Sequence, residues 1–594
     1  MFKLSRPQSS TGRGANAAAP AKTALALGLG AAAVGLLAWG GAPTTARTAA
    51  ADWPLFRGDT QRSGVSSERV APPLSVLWRF TGDAQPNNPS APAVVGDTVY
   101  FATGGVRTGG GVFYALDTKT GTQKWRYPAT GGLAGHTFTT APLVQNGQVY
   151  VGASDNKLYI LNADNGELVQ TYQTGGAISA SPAIVSDVLM FGSTDDTLYA
   201  LSTRTPNLPS VWRQAYRTKD NVNSAPVIAD GQIFFTSADQ FIHSVSAATG
   251  VARWQFRLPY NTMPNGVIYA DNTLYVPSGP RLYAFLARSG GTRWVQAIAN
   301  DIAVPPVAQG GVVYVIDRNR QMYALSANRG RPVWEAPITL PYGVATSPTI
   351  AGDIIYVPTA RNVILALNRA DGKVLWEYTL EPSTNRFANV APITAVIAPI
   401  TVANGTIYVL SDDGTLTAFR QDAPDSTPPL VDNQYPRPGS TVSGAGTMIV
   451  AARLQDPGSG VNRDTIQMSL EGQALDTTYD MDRRLIYYRS EAKSGASSSL
   501  PNGRKTVTLT AKDYQGNTVE EKWSFVIDNN LPATSSPAAA PSAPRVRPPR
   551  TANPPGMGNQ NRPGRGNNRP DRGNRPGRGN NRPGGGGSGR GNGL

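Results

Sequence analysis

A unit of about 44 residues recurs eight times between residues 90 and 420, and this repeat constrains the fold more than any other feature. The unit begins with an Ala-Pro or Ser-Pro step and continues as short β-rich runs separated by tight turns. A pair of apolar or aromatic residues marks each copy, at residues 99–100, 149–150, 189–190, 233–234, 274–275, 313–314, 355–356 and 407–408. A fixed period of roughly 40 to 45 residues is typical of β-propellers and solenoids.

The turn residues indicate what each copy forms. Asn146-Gly147, Asp230-Gly231 and Asn404-Gly405 each stand between two β-rich runs, and such pairs accept the positive φ of a two-residue hairpin turn. Gly121 and Gly166 take an equivalent place before the last run of their copies. Each copy is therefore predicted to form four antiparallel strands. Such units close radially, which predicts an all-β, eight-bladed β-propeller over residues 52–422.

The ends of the repeat predict how the ring closes. The eighth copy ends at Phe419-Arg420 without its last strand, whereas Leu77 to Phe80 stand alone before the first copy. We therefore expect the N-terminal strand to complete the last blade. Tryptophans occupy equivalent places in seven blades, with Tyr172 near that place in the second, and we interpret them as residues that pack one blade on the next. They are Trp78, Trp125, Trp212, Trp254, Trp294, Trp334 and Trp376.

One copy carries a complete motif. Its residues are Ala115, Asp117, Thr120, Gly121 and Trp125, at the spacing A-x-D-x-x-T-G-x-x-x-W. This spacing resembles the tryptophan-docking motif of the pyrroloquinoline-quinone (PQQ)-like repeat family. The resemblance covers about residues 52–420 and weakens in the other copies. It implies the propeller fold and a blade-docking role for these five residues and for the equivalent tryptophans.

The family includes quinoprotein dehydrogenases and also cofactor-free propellers, such as the lipoprotein of outer-membrane-barrel assembly. The resemblance implies that an enzyme of this family would use PQQ with calcium held by Glu, Asn and Asp, a catalytic Asp and often a vicinal disulfide. The chain has no cysteine, and no motif offers that calcium set. Turn formation or an ordinary structural role explains the remaining candidates. These are Asp155-Asn156, Asp195-Asp196, Asp412-Asp413, His136 and His243.

The net charge of +14 comes from the two ends of the chain. Residues 1–51 contain five basic residues and no acidic ones, and residues 545–594 contain eleven arginines against Asp571, so residues 52–544 have a net charge of −1. This distribution excludes a globally basic nucleic-acid-binding domain. The absence of cysteine also excludes thiolate nucleophiles and cysteine-ligated metal sites.

Residues 1–51 are predicted to be an export signal or an N-terminal membrane anchor. A basic start precedes an uncharged apolar run at residues 23–40, and Ala49-Ala50-Ala51 offers a cleavage site. The run has about 18 residues, the lower limit for crossing a bilayer, so cleavage and retention both stay open. Both interpretations place the rest of the chain outside the cytoplasm, as a periplasmic, cell-surface or secreted protein.

The composition changes after the propeller. Residues 425–530 show short alternating strands, which predict a β-sandwich and resemble bacterial Ig-like domains in a D-x-x-S-G-[IV] element at Asp456 and a D-x-x-G-N element at Asp513. Turn formation explains both aspartates, and calcium binding is the alternative. Residues 531–594 predict a disordered Pro, Gly, Arg and Asn-rich tail. The tail resembles RGG-type segments but lacks aromatics that stack on bases, which favours an anionic envelope polymer or lipid over nucleic acid. A solubilising extension is the alternative.

The sequence thus predicts a non-catalytic, extracytoplasmic propeller of the bacterial cell envelope. It is expected to be monomeric and to bind envelope proteins or anionic envelope polymers, with the Ig-like domain as a spacer and the tail as an electrostatic tether. An uncleaved N-terminal segment would add a membrane contact. No cofactor, metal or specific nucleic acid is expected. A PQQ-dependent dehydrogenase with calcium is the alternative.

Overall fold

The computed structural model describes residues 52–82, 90–105, 109–263, 265–381, 395–444, 447–490 and 500–532. The predicted signal segment and residues 533–594 of the predicted tail lie outside the described residues. Every regular element in the described part of the chain is a β-strand. Within that part, no helix has the length and apolar character needed to cross a membrane.

Two strands, β1 (Val65–Ser66) and β2 (Ser75–Thr81), precede eight blades of the propeller, which are numbered here in chain order. Blades 1 to 4 contain β3 (Ala93–Val95), β4 (Thr98–Gly105), β5 (Gly110–Asp117), β6 (Gln123–Tyr127); β7 (Leu143–Gln145), β8 (Gln148–Gly152), β9 (Lys157–Asn162), β10 (Leu168–Gln173); β11 (Ala183–Val185), β12 (Val188–Gly192), β13 (Thr197–Ser202), β14 (Tyr216–Arg217); and β15 (Val227–Ala229), β16 (Gln232–Thr236), β17 (Phe241–Ser246), β18 (Ala252–Arg257). Blades 5 to 8 contain β19 (Ile268–Ala270), β20 (Thr273–Ser278), β21 (Arg281–Leu286), β22 (Thr292–Ala297); β23 (Val307–Gln309), β24 (Val312–Ile316), β25 (Gln321–Ser326), β26 (Ile338–Thr339); β27 (Thr349–Ala351), β28 (Ile354–Pro358), β29 (Val363–Asn368), β30 (Val374–Thr379); and β31 (Thr401–Ala403), β32 (Thr406–Leu410), β33 (Thr415–Arg420).

The ring closes as the sequence predicts. Strand β2 pairs antiparallel with β33, with Trp78 opposite Ala418, and so supplies the fourth strand of blade 8. The innermost strand of blade 8, β31, contacts β27 on one side and β3 on the other. The eight-bladed, all-β propeller with an N-terminal closing strand is therefore confirmed. Strand β1 adds a parallel fifth strand to blade 7, beside β27.

The hairpin turns follow from the residues that form them. Asn146 and Gly147 have φ values of 52° and 71°, and Asp230 and Gly231 have φ values of 51° and 71°. Such left-handed pairs match the twist of the flanking strands, so each turn reverses the chain in two residues. The inner strands are buried on both faces, as in β16, because neighbouring blades cover them. The outer strand β18 alternates between exposed and half-buried residues.

Strands after residue 429 form two antiparallel sheets. Their bounds are β34 (Leu430–Tyr435), β35 (Thr441–Val442), β36 (Ile449–Gln455), β37 (Val461–Leu470), β38 (Gln473–Ala474), β39 (Thr478–Asp480), β40 (Leu485–Arg489), β41 (Gly503–Asp513) and β42 (Thr518–Ile527). One sheet has the order β34-β36-β40-β39, and the other contains β42-β41-β37-β38. The resemblance of this region to Ig-like domains stays a prediction.

The chain divides into two compact units. The first contains the propeller together with residues 430–440, 449–489 and 504–526, so its contacts are described below as those of one body. The second consists of Thr441–Met448, Ser490–Gly503 and Ile527–Leu594. We call the part of the first unit between residues 430 and 526 the second β region.

Candidate functional site

Six of the seven tryptophans make the same contact. Each donates its indole N–H to a backbone carbonyl of the following blade, at 2.8 to 3.0 Å. The pairs are Trp78 with Thr118, Trp125 with Ala163, Trp212 with Ala247, Trp254 with Ala287, Trp294 with Ala327, and Trp334 with Ala370. The indole ring thus covers apolar surface while its one donor is satisfied, which links consecutive blades through side chain and main chain together.

The residues of the complete motif take part in two of these tryptophan contacts between blades. Asp117 Oδ1 accepts hydrogen bonds from the amide of Thr120 at 2.9 Å and from its hydroxyl at 3.0 Å, which shapes a turn that ends at Gly121. Gly121 has a φ of 69°, and a Cβ added there would lie 2.6 Å from Trp78 Cδ2. The turn therefore receives the tryptophan of the preceding blade. Ala115 pairs in the sheet with Trp125, which itself docks on the next blade.

Blade 2 departs from this pattern. Gln170 pairs with Ile160 in the sheet, just as Trp125 pairs with Ala115 in blade 1, so a glutamine takes the tryptophan position. Tyr172 lies two residues further along the strand. Its ring centroid is 5.9 Å from that of Tyr199 in blade 3, so an aromatic contact between the blades is kept by a different residue.

Trp376 of blade 7 docks outside the propeller. Strand β33 of the next blade ends at Arg420 and is followed by a turn at residues 421–422, but Trp376 does not donate to that turn. Trp376 is 0% exposed, and its indole N–H instead donates to the carbonyl of Ser459 at 3.0 Å. Residues 456–460, here called the junction turn, belong to the second β region. They accept the hydrogen bond that the turn of the following blade accepts in the other blades.

The junction turn is fixed from both sides. Asp456 Oδ2 accepts hydrogen bonds from the amides of Ser459 and Gly460, at 2.9 and 2.6 Å. The carbonyl of Pro457 accepts from Arg79 Nη2 at 2.7 Å and from the Tyr378 hydroxyl at 2.8 Å. The turn is therefore bonded to the closing strand β2 of blade 8 and to strand β30 of blade 7.

Ion pairs extend this junction. Arg463 Nε lies 2.6 Å from Glu377 Oε1, and Arg484 Nη1 lies 3.0 Å from Glu381 Oε1. Burial raises the pKa of Glu377, and the charge of Arg463 opposes that shift. A buried carboxylate is costly without its partner, so Arg463 stabilises the packing of the second β region on blade 7.

Residues 53–66, here called the channel segment, follow the inner edges of the blades. Their backbone carbonyls accept hydrogen bonds from amides of the innermost strands of five blades, at 2.8 to 3.0 Å. The pairs are Trp53 with Val94, Pro54 with Val144, Thr60 with Ile228, Gln61 with Tyr269, and Gly64 with Ile350. Blades 1, 2, 4, 5 and 7 therefore have their channel-facing edges occupied by the chain itself.

Two arginines of the channel segment are buried, at 1% exposure each. Arg62 donates to the carbonyls of Ser181 and Pro182 in blade 3 and of Pro226 in blade 4, at 3.0 to 3.2 Å. Arg57 Nη2 donates to the carbonyl of Pro306 in blade 6 at 2.7 Å. Burial lowers the pKa of Arg57 to about 10 and that of Arg62 to about 9, so both remain cations at neutral pH. No sequence pattern predicts a site at either arginine, because their acceptors are backbone carbonyls.

The remaining candidates of the propeller lie apart and are engaged locally. His136 is exposed, whereas His243 is buried and lies 3.0 Å from the Tyr216 hydroxyl and 3.2 Å from Asp239. Asp155 and Asp195 each accept from the hydroxyl of a tyrosine four residues later, at 2.7 Å. Asp413 Oδ1 accepts from the amide of Thr415 at 3.0 Å within its own turn.

These residues do not fit the calcium set that the resemblance implies. Among the described residues, one group of three acidic or histidine side chains lies within metal-binding distance, and it comprises Asp425, Asp456 and Asp513. None of the three belongs to a blade strand. Among the described residues of the blade strands, no group of three acidic or histidine side chains lies within metal-binding distance.

Comparison with known proteins gives both kinds of relative. A family model described as outer membrane protein assembly factor BamB matches residues 71–237, 175–264 and 238–458, which together span more than half of the chain. The quinoprotein glucose dehydrogenase of Escherichia coli (strain K12) is 27% identical over an alignment that covers 26% of this chain and 24% of that protein. The chain thus spans about a quarter of the length of the curated relative that it matches.

Solved structures of both kinds are also similar. BamB from Moraxella catarrhalis has a TM-score of 0.45 and 20% identity, covering 58% of this chain and 99% of that chain. Quinohemoprotein alcohol dehydrogenase from Comamonas testosteroni has a TM-score of 0.50 and 14% identity, covering 65% of this chain and 82% of that chain. The latter similarity, at such low identity, shows the fold alone.

Proposed function

We propose that this chain, which belongs to the PQQ-like β-propeller repeat family, is a non-catalytic, extracytoplasmic scaffold of the bacterial cell envelope. In this proposal the propeller binds envelope proteins through its loops and outer faces. The second β region acts as a spacer held firmly against blades 7 and 8, and the basic tail adds attraction to anionic envelope polymers. The name of the matching family model, an outer membrane protein assembly factor, supports an envelope role.

The channel segment is the observation that carries the proposal. Ligand sites are concave pockets in which a few polar groups converge on the ligand. Here the chain's own residues 53–66 accept hydrogen bonds from the innermost strands in five blades, and Arg57 and Arg62 bind carbonyls of three more stretches. This arrangement favours binding on the outer surface over chemistry on the axis.

Cofactor reconstitution tests the non-catalytic part of the proposal. The full chain is mixed with PQQ and calcium chloride, desalted, and examined by absorbance and mass spectrometry. We expect no stoichiometric retention of the quinone and no alcohol- or sugar-dependent reduction of a redox dye. An apo-form of a quinoprotein glucose dehydrogenase, treated identically, is the positive control. Stoichiometric retention with dye reduction would contradict the proposal and favour the dehydrogenase.

Sedimentation with purified cell envelopes tests the tether. A chain that ends after Asn530 lacks the eleven arginines of residues 545–594. Each basic residue near an anionic surface contributes on the order of 1 kcal/mol, and salt screens this attraction beyond about 8 Å at physiological ionic strength. We therefore expect truncation to abolish the salt-sensitive part of envelope binding. Equal binding and equal salt dependence of both chains would assign attachment to the folded domains.

A further inference from the structure

Three carboxylates converge beside the junction turn, and we call Asp425, Asp456 and Asp513 the acidic cluster. Each offers one oxygen atom such that all three oxygens lie within 4.8 Å of one another. Asp456 is 6% exposed and Asp513 is 2% exposed, whereas Asp425 is half-buried. The three residues come from the linker after blade 8, the junction turn and the end of β41, which are far apart in the sequence.

The cluster contains carboxylate oxygens without a partner. Asp456 Oδ1 and Asp425 Oδ2 are buried and have no hydrogen-bond partner among the described residues. Both oxygens of Asp513 accept from Asn517, at 2.8 Å from the amide and 2.6 Å from the side chain. Within the described part of the chain, no lysine or arginine forms an ion pair with any of the three. Buried carboxylates normally have such partners, because an unpaired charge in a low-dielectric site is costly.

The charges within the cluster repel one another. Three carboxylates whose oxygens lie within 4.8 Å of one another disfavour the charged form unless a positive charge offsets them. A bound cation would supply that missing charge and the missing partners for the two free oxygens.

We propose that Asp425, Asp456 and Asp513 bind a calcium ion that fastens the second β region to the propeller. Carboxylate oxygens are the ligands that hard divalent cations prefer. Calcium accepts irregular sets of six to eight oxygens, whereas magnesium demands a near-ideal octahedron and keeps several of its waters. Three carboxylates from three separate segments of the chain suit the more permissive ion. The site lies outside the blades and is independent of the scaffold proposal.

The position of the cluster gives the ion a mechanical role. Asp456 closes the junction turn through Ser459 and Gly460, and Ser459 is the acceptor for Trp376. Asp513 begins the loop that includes Gln515, whose side-chain amide donates to the Ser75 hydroxyl at 3.0 Å. A cation held by both aspartates would therefore order two segments that contact blades 7 and 8. Its removal would loosen the docking of Trp376.

Calorimetric titration of the full chain tests binding directly. After treatment with EDTA and its removal, calcium chloride is titrated at pH 7.5, and magnesium chloride is titrated in parallel. We expect one calcium ion per chain with a Kd on the order of 10⁻⁴ to 10⁻³ M, the range of extracellular calcium modules, and weaker binding of magnesium. Asp425→Asn and Asp456→Asn are each expected to weaken calcium binding about tenfold or more. Asp476→Asn, at an exposed position of the same region, is the matched control and is expected to bind as the parent does.

Hydrogen exchange measured by mass spectrometry tests the mechanical role. Calcium is expected to slow amide exchange in peptides that contain residues 456–460 and Trp376, and to leave β16 of blade 4 unchanged. Absence of calcium binding by the parent chain would overturn the proposal, as would tighter binding of magnesium. Unchanged affinity in the folded Asp425→Asn and Asp456→Asn chains would overturn it too. If those variants do not fold, the parent chain provides the test. Amide exchange of the junction peptides that does not change when calcium is added would then overturn the proposal.

Discussion

Two glycines of blade 1 allow a direct test of the tryptophan contact between blades. Gly121 and Gly96 have φ values of 69° and 59°, so alanine at either position enters the left-handed region. This backbone cost is about 1 to 2 kcal/mol and is common to both substitutions. The surroundings differ. A Cβ at Gly121 would lie 2.6 Å from Trp78 Cδ2, whereas a Cβ at Gly96 would have no heavy atom within 4 Å.

The extra cost of Gly121→Ala follows from how firmly Trp78 is held. Its side chain is 8% exposed, its indole N–H is bonded to Thr118 at 2.9 Å, and its ring centroid lies 5.9 Å from that of Tyr408. The ring therefore has little room to retreat, and overpacking of such a site costs about 1 to 3 kcal/mol. Gly121→Ala is thus expected to lose about 2 to 5 kcal/mol in total, against about 1 to 2 for Gly96→Ala.

Differential scanning calorimetry measures the difference. An unfolding entropy of about 2.1 cal/mol/K per residue implies roughly 0.8 kcal/mol/K for a propeller of about 370 residues. The additional 1 to 3 kcal/mol therefore lowers the Tm of Gly121→Ala by about 1 to 4 °C beyond that of Gly96→Ala. Equal Tm values for the two variants, scanned at the same rate, would show that Trp78 does not press on the turn and would refute this account.

Three other substitutions probe neighbouring features. Trp125→Ala is expected to reduce the free energy of unfolding by roughly 3 to 5 kcal/mol through lost aromatic burial, with no change in envelope binding by sedimentation. Trp376→Phe removes the donor to Ser459, and is expected to cost about 0.5 to 1.5 kcal/mol in urea denaturation and to speed amide exchange in the junction turn, which Trp334→Phe would not do. Burial raises the pKa of Asp412 to about 6 from its ordinary value of 3.8, so stability falls as pH rises from about 4 to about 6 and stays lower above that range. Asp412→Asn is therefore expected to have a higher urea midpoint than the parent at pH 7.5 and a similar midpoint below pH 4, and a constant difference across that range would contradict this assignment.

The closure of the ring could be predicted because its signals are local. Residue pairs such as Asn146-Gly147 indicate a two-residue hairpin turn by themselves. The isolated strand before the first copy corresponds to the strand that the eighth copy lacks. The tryptophan positions were readable for the same reason. A large aromatic recurring at one place in a repeat has few roles other than packing on the next copy.

The acceptor of Trp376 in the junction turn could not be predicted from the sequence. The acceptor for Trp376 is the backbone carbonyl of Ser459, 83 residues away, and a carbonyl has no sequence signature. The contacts of the buried arginines are equally unpredictable from the sequence, since Arg57 and Arg62 bind carbonyls up to 249 residues away. The sequence shows which residue has the donor side chain, but it does not indicate which backbone carbonyl accepts the hydrogen bond.

The acidic cluster shows a different limit of prediction from the sequence. Asp456 and Asp513 each sit in a turn motif, and the local interpretation of Asp456 as a turn former agrees with its bonds to Ser459 and Gly460. Asp425 has no motif of its own, although its Oδ1 accepts from the amide of Thr427. The distance between the three becomes visible only once the linker, the junction turn and β41 are folded together. The same aspartates can thus form local turns and also lie together as candidate metal ligands.

The N-terminal residues 53–81 connect blades that would otherwise contact only their neighbours in the ring. In a ring of repeats each blade contacts only its two neighbours, and stability is close to a sum over nearest pairs. Here the channel segment bonds blades 1, 2, 4, 5 and 7, its two arginines reach blades 3, 4 and 6, and β2 completes blade 8, so residues 53–81 contact every blade. Thr81 and Thr415, joined at 3.0 Å, are 334 residues apart. The pairing of β2 with β33 cannot form until the last blade has been synthesised, and contacts of such sequence separation are slow to form. Residues 53–81 therefore slow the completion of the ring and, once bound, couple the stability of each blade to that of blades it does not itself contact.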